Sequence, residues 1–192
     1  MTFVKKVFLV LAFISVLPLI FLCRMEKYIF GKNHERIFIS CAELLSLQPT
    51  IIGTYMRKAF YWAICTDVSW ETHFLLGCIL AHRENAIGRQ VVIGHYSFMG
   101  RVNIGDNVIL GARVSIVSGK YQHGRPGQRG TQNGTVTESG AISIGKDSWI
   151  GQDAVLLANI GQNCTVGAGS VVFHDIADNT TVIGNPARKV NI

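Results

Sequence analysis

The stretch Ile142–Val172, ISIGKDSWIGQDAVLLANIGQNCTVGAGSVV, carries an aliphatic residue at intervals of six, and in most repeats a glycine follows it. The same spacing occupies most of the segment from Ile87 to Tyr121 and returns in IGNPAR, Ile183–Arg188. Neither the 3.6-residue period of a helix nor the two-residue period of a strand accounts for it. A fixed six-residue period instead predicts a β-solenoid in which three repeats close one triangular coil of about 18 residues.

Each repeat also predicts which side chains fill the solenoid. The aliphatic residue points inward and stacks on its equivalent in the next coil, and we expect the adjacent glycine to permit a tight corner between short strands. The fourth residue after the aliphatic one is small, which suits a narrow interior. These positions are Ser97, Val108, Val114, Ser148, Ala154, Cys164 and Ser170.

The repeat is interrupted once, after Ile116. The segment IVSGKYQHGRPGQRG, Ile116–Gly130, opens a stretch that is polar, rich in glycine and interrupted by proline, and the repeat resumes at Ile144. Such a composition predicts a loop that leaves the solenoid, which we place at residues 124–141. A long excursion from a compact scaffold is either disordered or functional, and His123 lies at its base.

These repeats, above all Ile142–Val190, resemble those of the hexapeptide-repeat acyltransferases, which include galactoside, maltose, serine and xenobiotic O-acetyltransferases. The resemblance covers Asn85–Val190. It implies an all-β domain folded as a left-handed parallel β-helix, an exception to the usual right-handed crossover. It also implies a homotrimer with active sites between subunits, acetyl-CoA as co-substrate and no metal.

The resemblance assigns catalysis to a histidine at the base of the excursion, which here is His123. Its imidazole would deprotonate an acceptor hydroxyl near neutral pH, and the oxygen would attack the acetyl-CoA thioester directly. Aligned without gaps, the repeats place Tyr121 where relatives carry the histidine, so His123 stands two residues later. His95, at an outward position, is a second candidate; Glu138 is the carboxylate considered for orienting His123, and we expect His82 to be solvated.

The resemblance also implies a coenzyme site. Trp149 and Gln152 would line the pantetheine cleft, Ala168 would offer backbone hydrogen bonds, and Arg188 with its neighbour Lys189 would meet the phosphates. His174, with Phe173, stands where relatives read Thr-Lys. The narrow coil itself would demand a small residue at Ala168, and Trp149 could simply pack on the surface. The predicted coenzyme-binding residues are therefore Trp149, Gln152, Ala168, His174, Arg188 and Lys189.

The N-terminus predicts membrane attachment. Val7–Leu22 carries no charge and lies between Lys5–Lys6 and Arg24. It is slightly shorter than the roughly 20 residues needed to cross a bilayer, so spanning and dipping into one leaflet both stay open; a buried core helix is the alternative.

The stretch Leu44–Ile64 predicts a helix that either lies on the membrane or packs on the solenoid. We assign residues 1–66 to this helical region and 67–192 to the acyltransferase domain.

The composition excludes other functions. The net charge of +6 is spread along the chain, which argues against nucleic-acid binding, and the five cysteines show no disulfide or zinc spacing. The resemblance implies transfer of an acetyl group to a hydroxyl, and a membrane anchor favours a sugar or glycoconjugate acceptor, such as a polysaccharide or lipid-linked precursor. Because acetyl-CoA is available in the cytoplasm, we expect the enzyme at the cytoplasmic side of the cell inner membrane. Two alternatives are a metal-dependent protein like γ-class carbonic anhydrase, whose histidine spacing His82, His95 and His123 do not match, and a non-catalytic trimeric scaffold.

Overall fold

The computed structural model describes residues 3–118 and 140–190, with side chains from residue 8 onward. Three helices precede a solenoid of short strands: α1 (Phe3–Phe30), α2 (Arg36–Ser46) and α3 (Thr50–Ile64). The strands follow in chain order: β1 (Asp67–Val68), β2 (His73–Phe74), β3 (Ile79–Leu80), β4 (Ala86–Ile87), β5 (Val92–Ile93), β6 (Phe98–Met99), β7 (Val102–Ile104), β8 (Ile109–Leu110), β9 (Ser115–Ile116), β10 (Ile142–Ile144), β11 (Trp149–Ile150), β12 (Val155–Leu156), β13 (Thr165–Val166), β14 (Val171–Val172), β15 (Thr181–Ile183) and β16 (Arg188–Val190).

The strands form three sheets, which the chain visits in turn. The first sheet has the order β1-β4-β7-β10, the second β16-β15-β13-β11-β8-β5-β2, and the third β14-β12-β9-β6-β3. All neighbours are parallel except β15 and β16. We call the turns from first to second, second to third and third to first sheet the first, second and third corners. The predicted parallel β-helix is confirmed. Paired residues of successive coils are 19 positions apart from the first coil to the second, 17 apart in the next coil and 16 apart after the interruption.

The solenoid begins before the visible repeat. One further coil, β1 to β3, lies under the coil that starts at β4, with Asp67 paired to Ala86. The six-residue pattern is visible in the sequence only from Ile87, because no glycine follows the inward residues of this first coil. These residues are Val68, Phe74 and Leu80. Buried aliphatic and aromatic side chains fill the interior, and the small positions that the repeat predicts are all buried.

The glycines have a different role from the one expected. At the corners, the positive φ angles fall two residues after the repeat glycine, for example at Asp153 (61°) and Asn163 (53°). The glycines themselves lie where successive coils approach closely, since a Cβ atom on Gly111 would stand 2.6 Å from the backbone nitrogen of Gln152. Glycine is therefore required by the spacing between coils, and the left-handed turn conformation falls on a neighbouring residue, often Asn or Asp.

Helices α2 and α3 cover the open end of the first coil. The stretch Leu44–Ile64 is divided between them, because the chain turns at Leu47–Pro49 and Pro49, in an extended conformation, immediately precedes α3. The helix expected in this stretch is thus α3, which packs on the solenoid, and Leu44–Ser46 belong to α2, since the residue before a proline disfavours helix. The fully buried Arg57 of α3 joins α2, the α2–α3 connection and strand β2, because it donates to the carbonyl oxygens of Leu45, Gln48 and Phe74 at 2.8–3.0 Å.

Helix α1 is apolar around most of its circumference. The most apolar window of the segment Phe8–Phe30 has a mean hydropathy of 2.5, and 28% of that window is buried within the chain, so the length and composition of the helix would allow it to cross a membrane. Its buried positions form one stripe of helical spacing against α3 and α2. The stripe comprises Leu9, Ala12, Val16, Ile20, Cys23 and Glu26.

Candidate active site

The excursion leaves the solenoid at the third corner. Strand β9 ends at Ile116, and the chain rejoins the first sheet with β10 at Ile142. Side chains that stack at the same corner of successive coils are therefore 40 positions apart across the interruption, whereas the corresponding distances are 17 positions just before it and 16 just after it. Coils on both sides remain in register despite this insertion. Residues 119–139 lie outside the described residues, and with them His123, Glu138 and most of the predicted loop 124–141.

A cleft of about 430 Å³ lies at the root of this excursion. Its walls come from three successive levels of the third corner: Gly140–Ile142, Leu157–Asn159 and Phe173–Asp175. The Asn159 and Asp175 side chains hold these levels together, because each accepts a hydrogen bond of 2.9 Å from the backbone N–H of the neighbouring level. The predicted coenzyme residue His174 therefore lies beside the excursion.

Three other predicted coenzyme residues lie at the second corner or on the strand that leads into it. Gln152 and Ala168 occupy the same place in successive coils, where Gly169 N–H donates to the Gln152 carbonyl at 2.7 Å. Trp149 lies three residues earlier on β11, paired with Thr165, and its side chain is 47% exposed. The structure thus presents an exposed aromatic ring on the second sheet and an amide side chain and a small residue at the corner that follows it.

The second corner also carries His95. The corner residues His95, Ala112, Gln152 and Ala168 stack coil upon coil, because Arg113 N–H donates to the His95 carbonyl at 2.7 Å and the pattern repeats above it. His95 is exposed, which agrees with its expected outward position. It lies on a different corner from the one that carries the excursion.

An ion pair borders Gln152. Arg113 donates to both Asp153 carboxylate oxygens, at 2.6 and 2.7 Å, and the Gln152 amide donates to the same carboxylate at 3.2 Å. The hydrogen bonds from Arg113 and then from Gln152 lower the pKa of Asp153 below its usual range. The carboxylate therefore stays ionised and fixes Gln152 at the corner.

Arg188 and Lys189 lie at the end of the second sheet. They belong to β16, which runs antiparallel to β15 and pairs Arg188 with Ile183. Both residues are exposed. The second sheet thus carries Trp149, Arg188 and Lys189, whereas His174 lies at the third corner.

A buried polar cluster was missed by sequence reasoning. Glu26 of α1 accepts hydrogen bonds from Arg83 in the first coil and from the backbone N–H groups of Ile37 (2.7 Å) and Phe38 (3.2 Å) at the start of α2. A glutamate near the end of a strongly apolar helix was the available signal, because buried carboxylates are normally paired.

His82 belongs beside this cluster and is not the solvated residue expected. Its Nδ1 atom lies 2.7 Å from Glu35 Oε2, and its side chain is 30% exposed. The Glu35 carboxylate also accepts from Arg83 N–H at 2.7 Å, so the start of α2 is fastened to the third corner of the first coil. The physical reason for the difference is that α2 folds back over this corner.

The described ranges 3–118 and 140–190 contain no group of three or more His, Cys, Asp or Glu side chains placed to hold a metal ion.

The architecture defines a class of protein: a parallel β-solenoid built from hexapeptide repeats, with one long excursion and a cleft at its root. The model of the "Hexapeptide repeat of succinyl-transferase" matches residues 101–119 and 141–174. Serine acetyltransferase of Bacillus subtilis is 33% identical over 162 residues, which are 83% of this chain and 69% of the relative. The chain belongs to the hexapeptide-repeat acetyltransferases.

Other relatives match over shorter parts of their length. Serine acetyltransferase of Bacillus licheniformis is 34% identical over 138 residues, and the match spans 71% of this chain but only 57% of that enzyme. Galactoside O-acetyltransferase of Escherichia coli is 36% identical over 92 residues, 46% of this chain and 43% of the relative.

Among solved structures, a galactoside acetyltransferase in complex with coenzyme A superposes with a TM-score of 0.67 at 21% identity, over 84% of this chain and 82% of that one. A maltose O-acetyltransferase from Clostridium difficile gives 0.58 at 22% identity, over 82% and 85%. At these identities the structures establish the shared fold.

Proposed function

We propose that the protein transfers an acetyl group from acetyl-CoA to a hydroxyl of a sugar or glycoconjugate. The observation that carries the proposal is the single excursion inserted into an otherwise continuous solenoid, with a cleft at its root, in a member of an acetyltransferase family. A scaffold would need neither the insertion nor the cleft. Serine is the second acceptor to test, because the serine acetyltransferases match over most of this chain.

His123 is proposed as the general base. Its imidazole takes the proton of the acceptor hydroxyl while the oxygen forms a bond to the thioester carbonyl carbon. Backbone N–H groups at the coil corners are proposed to stabilise the oxyanion of the tetrahedral intermediate. The carbon–sulfur bond then breaks, and the proton held by His123 passes to the departing thiolate of coenzyme A. No covalent enzyme intermediate is needed.

The coenzyme is proposed to run along the outside of the solenoid. The exposed Trp149 ring and the neighbouring Gln152 and Ala168 suit the pantetheine arm, which is apolar with amide groups. The exposed Arg188 and Lys189 supply positive charge for the phosphates. His174, at the cleft, is proposed as a further contact, in place of the Thr-Lys pair of relatives.

A homotrimer is proposed to complete the site. Trp149 and Ile109 pair across β11 and β8, and both side chains are about half exposed, which leaves apolar surface on the outside of the second sheet. A neighbouring subunit would cover this surface and close a coenzyme cleft between two solenoids. Cyclic symmetry would give three equal sites.

The protein is proposed to work on the cytoplasmic side of the cell inner membrane, because acetyl-CoA is made in the cytoplasm. The support is α1, whose apolar length includes the proposed anchor, residues 7–22. An anchored acetyltransferase would meet glycans that are lipid-linked or being polymerised. A position at the membrane is the reason for including lipid-linked oligosaccharides among the acceptors to be tested.

The proposal is tested by measuring thiol release from acetyl-CoA with sugars, lipid-linked oligosaccharides and serine as acceptors. His123→Ala should lose acceptor-dependent release, and His95→Ala should retain it. Loss in His95→Ala alone would move the base to the second candidate. Release with serine alone would replace the glycan acceptor.

A further inference from the structure

We propose that α1 lies within one leaflet of the bilayer and does not cross it, so that the N-terminus stays on the same side as the solenoid. The inference rests on the proposed membrane association and specifies its geometry. It follows from how α1 is fastened to the rest of the chain at both ends of its buried stripe.

The N-terminal half of α1 is held against the first coil. The Phe13 ring packs edge-on against Trp62 of α3 at 6.1 Å between centroids, and Trp62 packs against Trp70 at 5.4 Å. Trp70 lies at the first corner of the first coil, next to the exposed Glu71. Because a carboxylate is costly inside a bilayer, the corner that carries Glu71 stays outside the hydrocarbon core.

The C-terminal half of α1 is held by the buried polar cluster. Glu26, fully buried, pairs with Arg83 of the first coil and accepts from the first N–H groups of α2. Pulling this end of the helix away would leave a buried guanidinium without its carboxylate, which is strongly destabilising.

These attachments hold the apolar length of α1 against the rest of the chain. The buried stripe runs from Leu9 to Glu26, about 26 Å at 1.5 Å per residue. The hydrocarbon core is about 30 Å thick. The stripe thus takes up most of the length that a spanning helix needs inside the lipid. Crossing the membrane would therefore require α1 to leave α3, or would carry the first coil into the lipid.

The opposite face of α1 fits the acyl chains of a leaflet. Its exposed side chains from Phe8 to Phe30 include eleven large apolar or aromatic ones, and the charged exceptions, Arg24 and Lys27, lie toward its C-terminal end. The apolar set is Phe8, Val10, Leu11, Ile14, Leu17, Phe21, Leu22, Met25, Tyr28, Ile29 and Phe30. A groove of about 300 Å³, lined by α1, Trp62 and Trp70, continues this face at one end. A second groove of about 330 Å³, between Leu22 and Leu44, continues it on the α2 side.

The charges around this face match a membrane surface. Arg24, Lys27, Lys32 and Arg36 are exposed near the C-terminal end of α1 and the start of α2. Cations at the margin of an apolar helix face interact with anionic headgroups, and amphipathic helices that lie in the interface combine both features. The occupant is therefore a lipid leaflet, and pairing with a second copy of the chain is the outcome to be tested against it.

The deciding experiment determines on which side of the membrane the N-terminus lies. The full chain with an N-terminal epitope tag is expressed, and protease is added to spheroplasts and to inside-out membrane vesicles. We expect the tag and the solenoid to be cut only in inside-out vesicles. A tag cut in spheroplasts overturns the one-leaflet geometry alone, whereas a chain absent from the membrane fraction overturns the membrane association on which it rests.

A matched pair of variants tests the lipid-facing surface. Ile14→Glu with Phe21→Glu should reduce flotation with phosphatidylglycerol–phosphatidylethanolamine vesicles at least ten-fold, while Ile14→Leu with Phe21→Leu should float like the parent chain. Both side chains are exposed, so both variants should keep the thermal unfolding midpoint of the parent. Flotation unchanged by the glutamates overturns the proposal. The proposal is also overturned if the parent chain fails to float and the glutamates lower its oligomeric state, because the apolar face would then pair with a second copy of the chain.

Discussion

Arg83, at the third corner of the first coil, donates through Nη2 to the Glu26 carboxylate of α1, and both side chains are buried. Through Nη1 it also donates to the His34 carbonyl at 3.0 Å, and its guanidinium lies over the Phe38 ring at 5.4 Å. One side chain thus joins α1, the α1–α2 connection, α2 and the solenoid.

The first prediction concerns this pair. Arg83→Leu should lower the free energy of unfolding by about 3–5 kcal/mol, because the Glu26 charge stays buried without its partner. Arg89→Leu is the matched control: Arg89 pairs with Asp106 at 2.9 Å, but both side chains are exposed, and little change is expected. Urea denaturation in detergent measures both, and equal losses in the two variants would contradict the assigned role.

The second prediction concerns the spacing of coils. Gly111→Ala should destabilise the fold by about 1–3 kcal/mol, because its Cβ would stand 2.6 Å from the Gln152 backbone nitrogen. Gly140→Ala is the control, since nothing lies within 4 Å of its Cβ position and its φ is not positive. Thermal unfolding should separate the two, and a Gly111→Ala chain as stable as the parent would show that the coils can move apart.

The third prediction concerns the phosphates of the coenzyme. The double variant Arg188→Ala with Lys189→Ala should raise the KM for acetyl-CoA about ten-fold, equivalent to about 1.4 kcal/mol of binding, with kcat little changed. Lys32→Ala removes an exposed cation from the helical region and should leave the KM unaltered. Steady-state thiol release measures all three chains. An unchanged KM in the double variant would place the phosphates elsewhere.

The fourth prediction concerns the Cys78 thiol. Burial raises its pKa from an ordinary value of 9.0 to about 12. The folded chain thus binds a proton that the unfolded chain releases above about pH 9, so this contribution to stability is complete below pH 9 and is lost as the pH rises toward 12. At pH 8, Cys78 should react with Ellman's reagent only after unfolding, as peptide mapping of the labelled chain would show. Modification in the native state would contradict its burial.

Much of the fold was predictable from the sequence, because the six-residue period is imposed locally by every coil. The repeat predicted the inward residues from Ile87 to Val172 and the place of the excursion. In the last repeat the expected inward residue, Ile183, is exposed, because its neighbour Val182 takes the buried position. It did not predict the first coil, where Ser69, Leu75 and Ala81 replace the glycines and α2 and α3 supply the covering surface. The division of Leu44–Ile64 also depended on tertiary contacts, chiefly those of the buried Arg57.

The site was predictable in part. The repeat register alone places Gln152 and Ala168 at equivalent corners, and the structure stacks them there. It could not predict that His82 turns to Glu35 or that Glu26 meets Arg83, because these partners are 47 and 57 residues apart in sequence. The position of His123 depends on a loop, and loops carry no repeat from which to read a register.

The most direct test of the central claim is acceptor-dependent release of coenzyme A thiol by the purified full chain and by His123→Ala, with glycan acceptors and serine in parallel. Acetyl transfer to a glycan hydroxyl predicts release by the parent chain that falls at least a hundred-fold in His123→Ala, while binding of acetyl-CoA is kept. Equal release by the two chains, or none by the parent with any acceptor, would contradict it.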